Sequence, residues 1–265
     1  MSFDQVFETI LVEQKAAFLV VTLNRPHVGN ATNTKLAQEL IEVWEGVEAD
    51  ITIAAVILTG AGERFFSTGG DLKERATLDA EGWLRQHAIF NRNRQLMREC
   101  AVPIIAAVNG IAHGGGFETV LAADIVLCTA KAEFCLPEVK RGIIPGSGGT
   151  QLLPRKCGFA VAMQYILSGN SLSADEAYRH GLVAEVHETR DDMLAAAMDL
   201  AGAIGANAPL AVRQAKKAIR TAFSSDLETG MRFEREAYNN LVGTKDQVEG
   251  VRAFVEKRKP KFIGR

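Results

Sequence analysis

The feature that most constrains the fold of this chain is a repeated pattern of short apolar segments that lead into polar or helical segments. "AAVILTG" (54–60) and "VPIIAAVNG" (102–110) end in glycine, and "IVLCTA" follows at 125–130. A short apolar run bounded by turn residues is typical of a buried strand. Strand and helix patterns alternate through about residue 185, and helical patterns dominate the rest. The sequence therefore predicts an α/β core followed by a helical region.

Periodicity predicts the remaining elements. The segment between Val6 and Pro26 holds two apolar runs with a turn near Gln14–Ala17, which indicates a pair of strands. A helix follows with Thr32 or Asn33 as its N-cap, and its apolar face comprises Leu36, Leu40, Val43 and Val47. Residues 62–74 are predicted as a loop. Further helices are predicted at 80–99, 158–168, 173–180, 191–204, 208–222, 226–241 and 246–258, and further strands at "AEFCL" and 182–186.

Composition narrows the class of protein. The chain has 265 residues, 47% of them hydrophobic and 23% charged, with a formal net charge of −2, which gives no reason to expect nucleic acid as a partner. The N-terminal "MSFDQVFETI" has no signal or transit pattern, and no apolar run approaches a membrane span, so a cytoplasmic location is expected. The scattered histidines show no metal-ligand spacing. The cysteines form no C-x-x-C pair and are expected to be reduced: Cys100, Cys128, Cys135 and Cys157.

The segment "AHGGGFETV" places three consecutive glycines, Gly114–Gly116, directly before a carboxylate and an apolar helical run. Glycine allows a ligand to approach the backbone, and the first N–H groups of a helix have no intrahelical partner. An amide at Gly115 can therefore donate to an oxyanion, and Glu118, one turn later, projects from the same face. The alternative is that the glycines only permit tight strand–helix packing and that Glu118 complements the helix dipole.

A second segment, "FFSTGGDLKE", repeats this device. Gly69 and Gly70 follow an apolar run and precede Asp71 and a helical pattern. Amides from two such loops would form an oxyanion hole, and one donor of such a hole typically contributes ~3–4 kcal/mol of transition-state stabilisation. The alternative is a pair of ordinary turns between strands and helices.

The third segment is "LPEVKRGIIPGSGGTQ". Pro137 precedes Glu138, and the apolar residues before it predict that the Glu138 carboxyl group is poorly solvated. Desolvation raises a carboxyl pKa, and a neighbouring Glu118 would separate the two pKa values further. Such a pair suits general acid and base catalysis at neutral pH, whereas a single "PE" is more often a surface glutamate.

Other features carry less information. His113 is interpreted as a hydrogen-bonded structural residue rather than a base. "GSGG" at 146–149 lacks the Lys-Ser/Thr of a phosphate-binding P-loop, and "GGG" is not a dinucleotide-binding G-x-G-x-x-G. A basic helix face is predicted to be solvated surface: Arg213, Lys216, Lys217 and Arg220.

In their order and spacing these segments resemble the enoyl-CoA hydratase/isomerase (crotonase) superfamily. The resemblance extends from about Phe7 to the C-terminus, and further matching segments are "LNRP", "NATN", "ADIVL", "LSADEAYRHGLVAEV" and "EGVRAFVEKRKPKF". It implies a spiral of repeated ββα units over residues 1–200 that holds a CoA thioester site. It also implies a C-terminal helical region, 201–265, that forms a homotrimer or a dimer of trimers.

The resemblance also implies roles for individual residues. The thioester oxygen would lie between the amides of Gly70 and Gly115, with Glu118 and Glu138 as the catalytic glutamates. No separate cofactor or metal is implied, because coenzyme A is part of the substrate and the amides hold the enolate charge. The implied substrate-binding residues are Thr68, Gly70, Asp71, Leu72, Lys73 and Gly115, with Phe254 and Lys257 often serving a neighbouring subunit. Relatives usually have "AGAD" where this chain has "TGGD", and an apolar residue where it has His113.

The reaction implied by both glutamates is reversible syn addition of water to a trans-2-enoyl-CoA, as in fatty acid β-oxidation. Glu118 would activate water for attack at C3, and Glu138 would give a proton to C2. A carnitinyl-CoA dehydratase is an alternative within the superfamily. A Δ3-Δ2-enoyl-CoA isomerase is a further one, although one carboxylate suffices for its proton shuttle. A non-catalytic RNA-binding member is disfavoured by the two glutamates and the acidic balance; strongly salt-dependent RNA binding would favour it.

Overall fold

The computed structural model describes residues 6–265, and within them the chain alternates strands and helices before it becomes helical. The strands are β1 (Ile10–Lys15), β2 (Phe18–Leu23), β3 (Ala55–Gly60), β4 (Phe65–Ser67), β5 (Ile104–Val108), β6 (Ile111–His113), β7 (Ile125–Thr129), β8 (Glu133–Cys135), β9 (Ser171–Ser173) and β10 (Glu185–His187). The α-helices of the first part are α1 (Thr34–Ala49), α2 (Leu72–Arg75), α3 (Ala80–Glu99) and α4 (Gly115–Ala122). Those of the second part are α5 (Gly149–Cys157), α6 (Phe159–Ser168), α7 (Ala174–Arg179), α8 (Arg190–Gly205), α9 (Pro209–Thr221), α10 (Leu227–Asn239) and α11 (Lys245–Val255).

The strands form two sheets, and they are distributed between these sheets in a regular order. The larger sheet has the order β1-β2-β3-β5-β7-β10, antiparallel only between β1 and β2. The smaller sheet has the order β4-β6-β8-β9, with β4, β6 and β8 parallel. Consecutive strand pairs, β3/β4, β5/β6 and β7/β8, thus give one strand to each sheet before the chain enters a helix. This arrangement is the predicted spiral of ββα units, and the α/β fold class is confirmed.

The apolar strands are buried on both faces, which explains why they show no polar alternation. On one face of the larger sheet, residues such as Val56 and Leu58 contact the main core, together with Leu40 and Trp44 of α1. On the other face, Ile57 and Ile105 pack against α8, whose Ala197 is fully buried. Side chains alternate between faces along a strand, so a run of five or six apolar residues supplies both cores at once.

Local signals set most helix boundaries as predicted. Asn33, one of the two N-cap candidates, accepts a hydrogen bond from the amide of Leu36 at the start of α1. The helix predicted at 80–99 is confirmed as α3, and Asp79 caps it through the amide of Gly82. All four cysteines are free, and Cys128 and Cys135 are buried in the core as expected.

Three short strands were not predicted. The segment 62–74, expected to be a loop, contains β4 and the single turn α2, and β6 and β9 lie in stretches to which no strand was assigned. Each of these strands is three residues long, so it shows no readable period, and its partners lie far away in the chain. The strand predicted at 182–186 is observed slightly later, as β10.

The basic face of α9 is not solvated surface, so that prediction was wrong for two of its residues. The Lys216 side chain is buried; its Nζ lies 2.7 Å from an Asp124 carboxylate oxygen and donates to the Val102 carbonyl at 2.6 Å. Arg220 also binds Asp124, with Nη2 at 2.7 Å from Oδ1. These contacts attach the C-terminal helices to the core at the end of α4.

The helices α9 to α11 leave many large apolar side chains exposed, among them Phe223, Leu227, Met231 and Phe254. Asp246 holds the chain end against α11, because its buried carboxylate accepts from the amides of Ile263 and Gly264. Within residues 6–265, no single helix is long and apolar enough to cross a membrane; α8 and α9 reach that length only as a pair bent by 110°. The division of the chain at residue 200 stays a prediction.

Candidate active site

The residues singled out in the sequence meet in one cleft of about 980 Å³. Its walls come from the loop between β4 and α2, from α3, from the loop between β6 and α4, and from residues 137–147. The cleft is lined by these predicted site residues: Thr68, Gly70, Asp71, Leu72, Lys73, Gly115, Glu118 and Glu138. Phe254 and Lys257 lie outside it, and Phe254 is exposed on α11.

The fold requires two of the three consecutive glycines, each for a different reason, and does not require the third. Gly114 has a φ of +54°, in the region that disfavours a side chain. A Cβ on Gly116 would lie 2.1 Å from the carbonyl oxygen of Ser67, so the close approach of two backbones requires glycine there. A Cβ on Gly115 would meet only ordinary contacts, at 3.6 Å from the Cα of Gly69 and 3.7 Å from the backbone nitrogen of Gly70. The protein itself therefore does not require glycine at 115, and the missing side chain leaves the Gly115 amide open to the cleft.

The amides of Gly70 and Gly115 lie side by side without acceptors. The amide of Thr32 donates to the carbonyl of Gly69 at 2.7 Å, and that of Asp71 donates to the carbonyl of Thr32 at 2.9 Å, which fixes the loop on both sides of Gly70. In the described part of the chain, neither the Gly70 nor the Gly115 N–H is assigned an acceptor. Two preorganised donors that face one cleft form a site for an oxyanion.

Glu118 is anchored beneath this pair of donors. It lies in the first turn of α4 and is 3% exposed. Its Oε1 accepts from the amides of Ser147 at 2.7 Å and Gly149 at 2.9 Å. These bonds fix one carboxylate oxygen by the loop that enters α5 and leave Oε2 available to a ligand such as water.

Glu138 has the opposite environment. It begins the short 3-10 helix Glu138–Arg141, and its Oε2 is buried without a hydrogen-bond partner among the described residues. Burial, with a smaller contribution from the Glu118 charge, raises the pKa of Glu138 from 4.5 to about 7. Its Oε1 lies 3.0 Å from the position that a Cβ on Gly114 would take, so the carboxyl group lies against the glycine loop. The predicted rise is confirmed, and the group can hold or release a proton at neutral pH.

Asp71 organises the loop around Gly70. Its Oδ1 accepts from the amide of Lys73 at 3.1 Å, and Oδ2 pairs with the Nη1 of Arg25 at 3.0 Å. Burial alone would raise the pKa of Asp71, but the Arg25 hydrogen bond and the backbone amides hold it below its ordinary value. The Asp71 carboxylate is therefore committed to the protein, and a direct role in substrate binding stays a prediction.

The contacts of His113 indicate a structural role. Its Nε2 lies 2.7 Å from Oε1 of Glu133, which accepts a second bond from Ser171 at 2.7 Å. The imidazole thus forms part of the cleft wall and is tied to the neighbouring strand, in agreement with the sequence interpretation.

Two arginines of the cleft were missed in the sequence. Arg94 of α3 is buried, and its Nη2 donates to the carbonyl of Gly115 at 2.8 Å, which orients the peptide that follows the open amide. Burial lowers the pKa of Arg94 to about 10, although the charge of Glu118 opposes the shift. Arg75 lines the same cleft from the end of α2. The polar pattern of 80–99 and the loop assigned to 62–74 gave no signal that separates these arginines from surface residues.

Comparison with known proteins identifies the family of this chain. The family model described as enoyl-CoA hydratase/isomerase matches residues 13–265. The chain belongs to the enoyl-CoA hydratase/isomerase family. It is an enzyme family of the crotonase superfamily.

Relatives within the family are similar over nearly their whole length. A short-chain-enoyl-CoA hydratase of Clostridium acetobutylicum is 39% identical over 250 residues, 94% of this chain and 95% of that protein. A 2,3-dehydroadipyl-CoA hydratase of Escherichia coli is 38% identical over 265 residues, 97% of this chain and 99% of that protein. The crystal structure of an enoyl-CoA hydratase from Bacillus anthracis superposes with a TM-score of 0.95 at 38% identity, covering 97% of this chain and 100% of that one.

Proposed function

We propose that this family member is an enoyl-CoA hydratase, which adds water reversibly across the double bond of a trans-2-enoyl-CoA to form a 3-hydroxyacyl-CoA. The observation that supports this proposal most is the unequal environment of two glutamates in one cleft. Glu118 is held by two amides, whereas the pKa of Glu138 is raised to about 7. A pair of carboxyl groups with different environments can serve as base and acid in one reaction.

The proposed reaction begins at the thioester. The amides of Gly70 and Gly115 bind its carbonyl oxygen and stabilise the negative charge that develops there as water attacks C3. Glu118, anchored through Oε1, takes a proton from the attacking water on its other oxygen as the bond from that water to C3 forms. Glu138 delivers its own proton to C2. Transfer of the proton from Glu118 back to Glu138 through solvent restores the starting state. The reverse reaction uses the same groups with their roles exchanged.

Hydration is favoured over isomerisation because both carboxyl groups are present. Moving a double bond from C3–C4 to C2–C3 needs one group that takes a proton from C2 and returns it to C4. Adding water requires both a base for the water and an acid for C2. The two relatives named above as hydratases differ in acyl group, so their names leave the acyl group of this enzyme open. We propose no separate cofactor, since coenzyme A belongs to the substrate; within residues 6–265, no three candidate ligands cluster to hold a metal ion.

The CoA moiety is proposed to bind along residues 68–73. Leu72 and Lys73 are exposed at the mouth of the cleft, where an apolar side chain and an ammonium group suit an adenine ring and a phosphate. The exposed apolar side chains of α9 to α11 support a homotrimer or a dimer of trimers, since a second copy would bury them. In such an assembly, Phe254 and Lys257 would serve a neighbouring cleft.

The test uses trans-2-butenoyl-CoA and trans-3-hexenoyl-CoA with the purified protein. Mass spectrometry detects added water, and the absorbance of the conjugated thioester detects isomerisation of the 3-enoyl substrate. A hydratase adds the mass of one water to the first substrate, and Glu118→Gln loses this activity. Glu63→Gln, which changes an exposed carboxyl group outside the cleft, is the matched control and retains it. Isomerisation of the 3-enoyl substrate without any hydration, or no turnover by folded protein, would contradict the proposal.

A further inference from the structure

The guanidinium group of Arg75 is held in a fixed position at the wall of the cleft. Its Cζ lies 4.6 Å from the ring centroid of Trp83 and 5.2 Å from that of Phe90, both on α3. Its Nε donates to Oε1 of Gln86 at 3.1 Å. The stacking contacts and the hydrogen bond fix the plane of the guanidinium and leave its two terminal nitrogens free to bind another group.

Arg75 has no anionic partner of its own. Among residues 6–265, no carboxylate lies within ion-pair distance of it, whereas Arg25 pairs with Asp71 and Arg220 with Asp124. Burial lowers the pKa of Arg75, and the nearby charges of Glu118, Glu74 and Glu138 oppose that shift. A half-buried cation with free donors is less favourable than a paired one, so the cleft is better satisfied when an anion occupies it.

Gly70 provides the space for this guanidinium. A Cβ at position 70 would lie 3.1 Å from Cζ of Arg75, 3.2 Å from Nε and 3.3 Å from Nη1. The φ of Gly70 is outside the left-handed region, so its backbone does not require glycine. The missing side chain therefore places the cation next to the loop that carries the proposed thioester-binding amide.

We propose that Arg75 binds a carboxylate carried by the acyl group, so that the enzyme prefers 2-enoyl-CoA substrates whose chain ends in a carboxylate. This inference rests on the proposed hydratase function. The reacting carbons lie near the Glu118 carboxylate, which would repel a second carboxylate unless a cation offset its charge. Arg75 lies close enough to both glutamates for their charges to act on its pKa, and it is stacked on the aromatic rings of α3. A CoA phosphate is the other source of an anion in this cleft.

The decisive comparison uses trans-2-hexenedioyl-CoA and its monomethyl ester, which differ in one charge at the end of the acyl chain. The wild type is expected to hydrate the acid with a kcat/KM roughly 10- to 100-fold above that of the ester, the range of a charge-assisted hydrogen bond. In Arg75→Gln the ratio falls to about one, mainly through KM for the acid. Arg85→Gln is the matched control, because Arg85 lies on the exposed side of α3 and pairs with Glu81. It keeps the wild-type ratio.

A wild-type ratio near one would overturn the proposal, and this measurement needs no variant to fold. Equal losses on acid and ester in Arg75→Gln would also overturn it, since the guanidinium would then serve the shared thioester. Thioesters of 3′-dephospho-CoA test the CoA phosphate as the other source of an anion. If Arg75→Gln keeps the preference for the acid over the ester but no longer responds to removal of the 3′-phosphate, the phosphate is the ligand of Arg75.

A binding measurement distinguishes failure of the proposed carboxylate site at Arg75 from failure of the proposed hydratase function. If the wild type hydrates neither substrate, calorimetry with adipyl-CoA and hexanoyl-CoA still tests Arg75. Tighter binding of adipyl-CoA by the wild type, lost in Arg75→Gln, supports the carboxylate site in a protein of another activity. Equal dissociation constants in the wild type would refute it.

Discussion

Replacing Glu138 with glutamine is expected to make the protein more stable above neutral pH while it removes the proposed acid. The folded protein holds the Glu138 proton with a pKa of about 7, against 4.5 for an ordinary glutamate. Below pH 4.5 both the folded and the unfolded chain carry this proton. Between pH 4.5 and 7 only the folded chain binds it, so the free energy of unfolding decreases as the pH rises through this window.

The magnitude follows from the shift. The rise from 4.5 to about 7 corresponds to at most about 3 kcal/mol, and screening by solvent reduces this to about 2 kcal/mol because the Glu138 carboxyl group is partly exposed. The wild type loses this contribution in full only above pH 7. Glutamine has no proton to lose at this position. The difference in stability between Glu138→Gln and wild type should therefore grow by about 2 kcal/mol in favour of the variant from pH 4.5 to pH 8.

The assay is urea unfolding followed by far-ultraviolet circular dichroism at several pH values. One protein concentration is used throughout, because an oligomer gains apparent stability with concentration. Glu63→Gln, at an exposed site, is expected to follow the wild-type curve. Parallel curves for Glu138→Gln and wild type over the whole range would refute the reasoning that burial of the Glu138 carboxylate is unfavourable.

The same geometry also determines the pH dependence of the reaction, the effects of alanine at two glycines and the effect of removing the Lys216 ammonium group. First, kcat/KM for hydration should fall about tenfold per pH unit above the Glu138 pKa of about 7, because the acid form disappears. The kcat/KM for dehydration should fall over the same pH range, since the equilibrium between the two directions involves no net proton. A kcat/KM that stays constant from pH 6 to 9 would contradict this prediction. Second, Gly115→Ala should have a free energy of unfolding within about 1 kcal/mol of wild type, yet its hydration rate should be about 100-fold lower. Gly116→Ala, whose Cβ would lie 2.1 Å from the Ser67 oxygen, should fold poorly. Equal effects of the two substitutions on stability, measured by thermal unfolding, would refute the separate reasons given for the two glycines. Third, Lys216→Met should destabilise the fold by about 2 kcal/mol, because it leaves the Val102 carbonyl without its donor and removes one of the two cations that pair with Asp124. Lys217→Met, at an exposed position of the same helix, is the control. Equal melting temperatures for the two variants would show that the Lys216 contacts contribute nothing.

Much of the fold follows from local sequence signals. The apolar run at 54–60 predicts a strand because a strand buried on both faces needs apolar residues at every position. The N-cap Asn33 and the helix at 80–99 are equally local features, since their hydrogen bonds join residues close in the chain. The glycine-rich loops could be recognised in the sequence, because a positive φ or a close approach of two backbones favours glycine.

The rest depends on contacts between distant residues. Strand β4 pairs with β6, more than forty positions away, and neither is long enough to show a period. The Arg220 bond to Asp124 joins residues 96 positions apart, so the basic spacing of α9 alone indicated only a solvated face. Arg75 and Arg94 are distinguished from surface arginines only by where α2 and α3 lie relative to Gly70 and Gly115.

The two glutamates were found in the sequence, but the difference between them was only partly predictable. The apolar residues before Pro137 indicated a poorly solvated Glu138, and the raised pKa agrees. The hydrogen bonds that hold Glu118 come from Ser147 and Gly149, about thirty residues further along the chain. Only the folded arrangement shows that one carboxylate is anchored, whereas Oε2 of the other is buried without a hydrogen-bond partner among residues 6–265.

The most direct test of the account is the rate at which Glu138→Gln hydrates crotonyl-CoA, measured beside wild type as the loss of the conjugated-thioester absorbance. Rapid loss is expected with the wild type and with Glu63→Gln. Folded Glu138→Gln is expected to be slower by about 10²- to 10⁴-fold, the range that a positioned general acid contributes. A variant that hydrates crotonyl-CoA as fast as wild type would show that Glu138 does not deliver the proton, and would contradict the central claim.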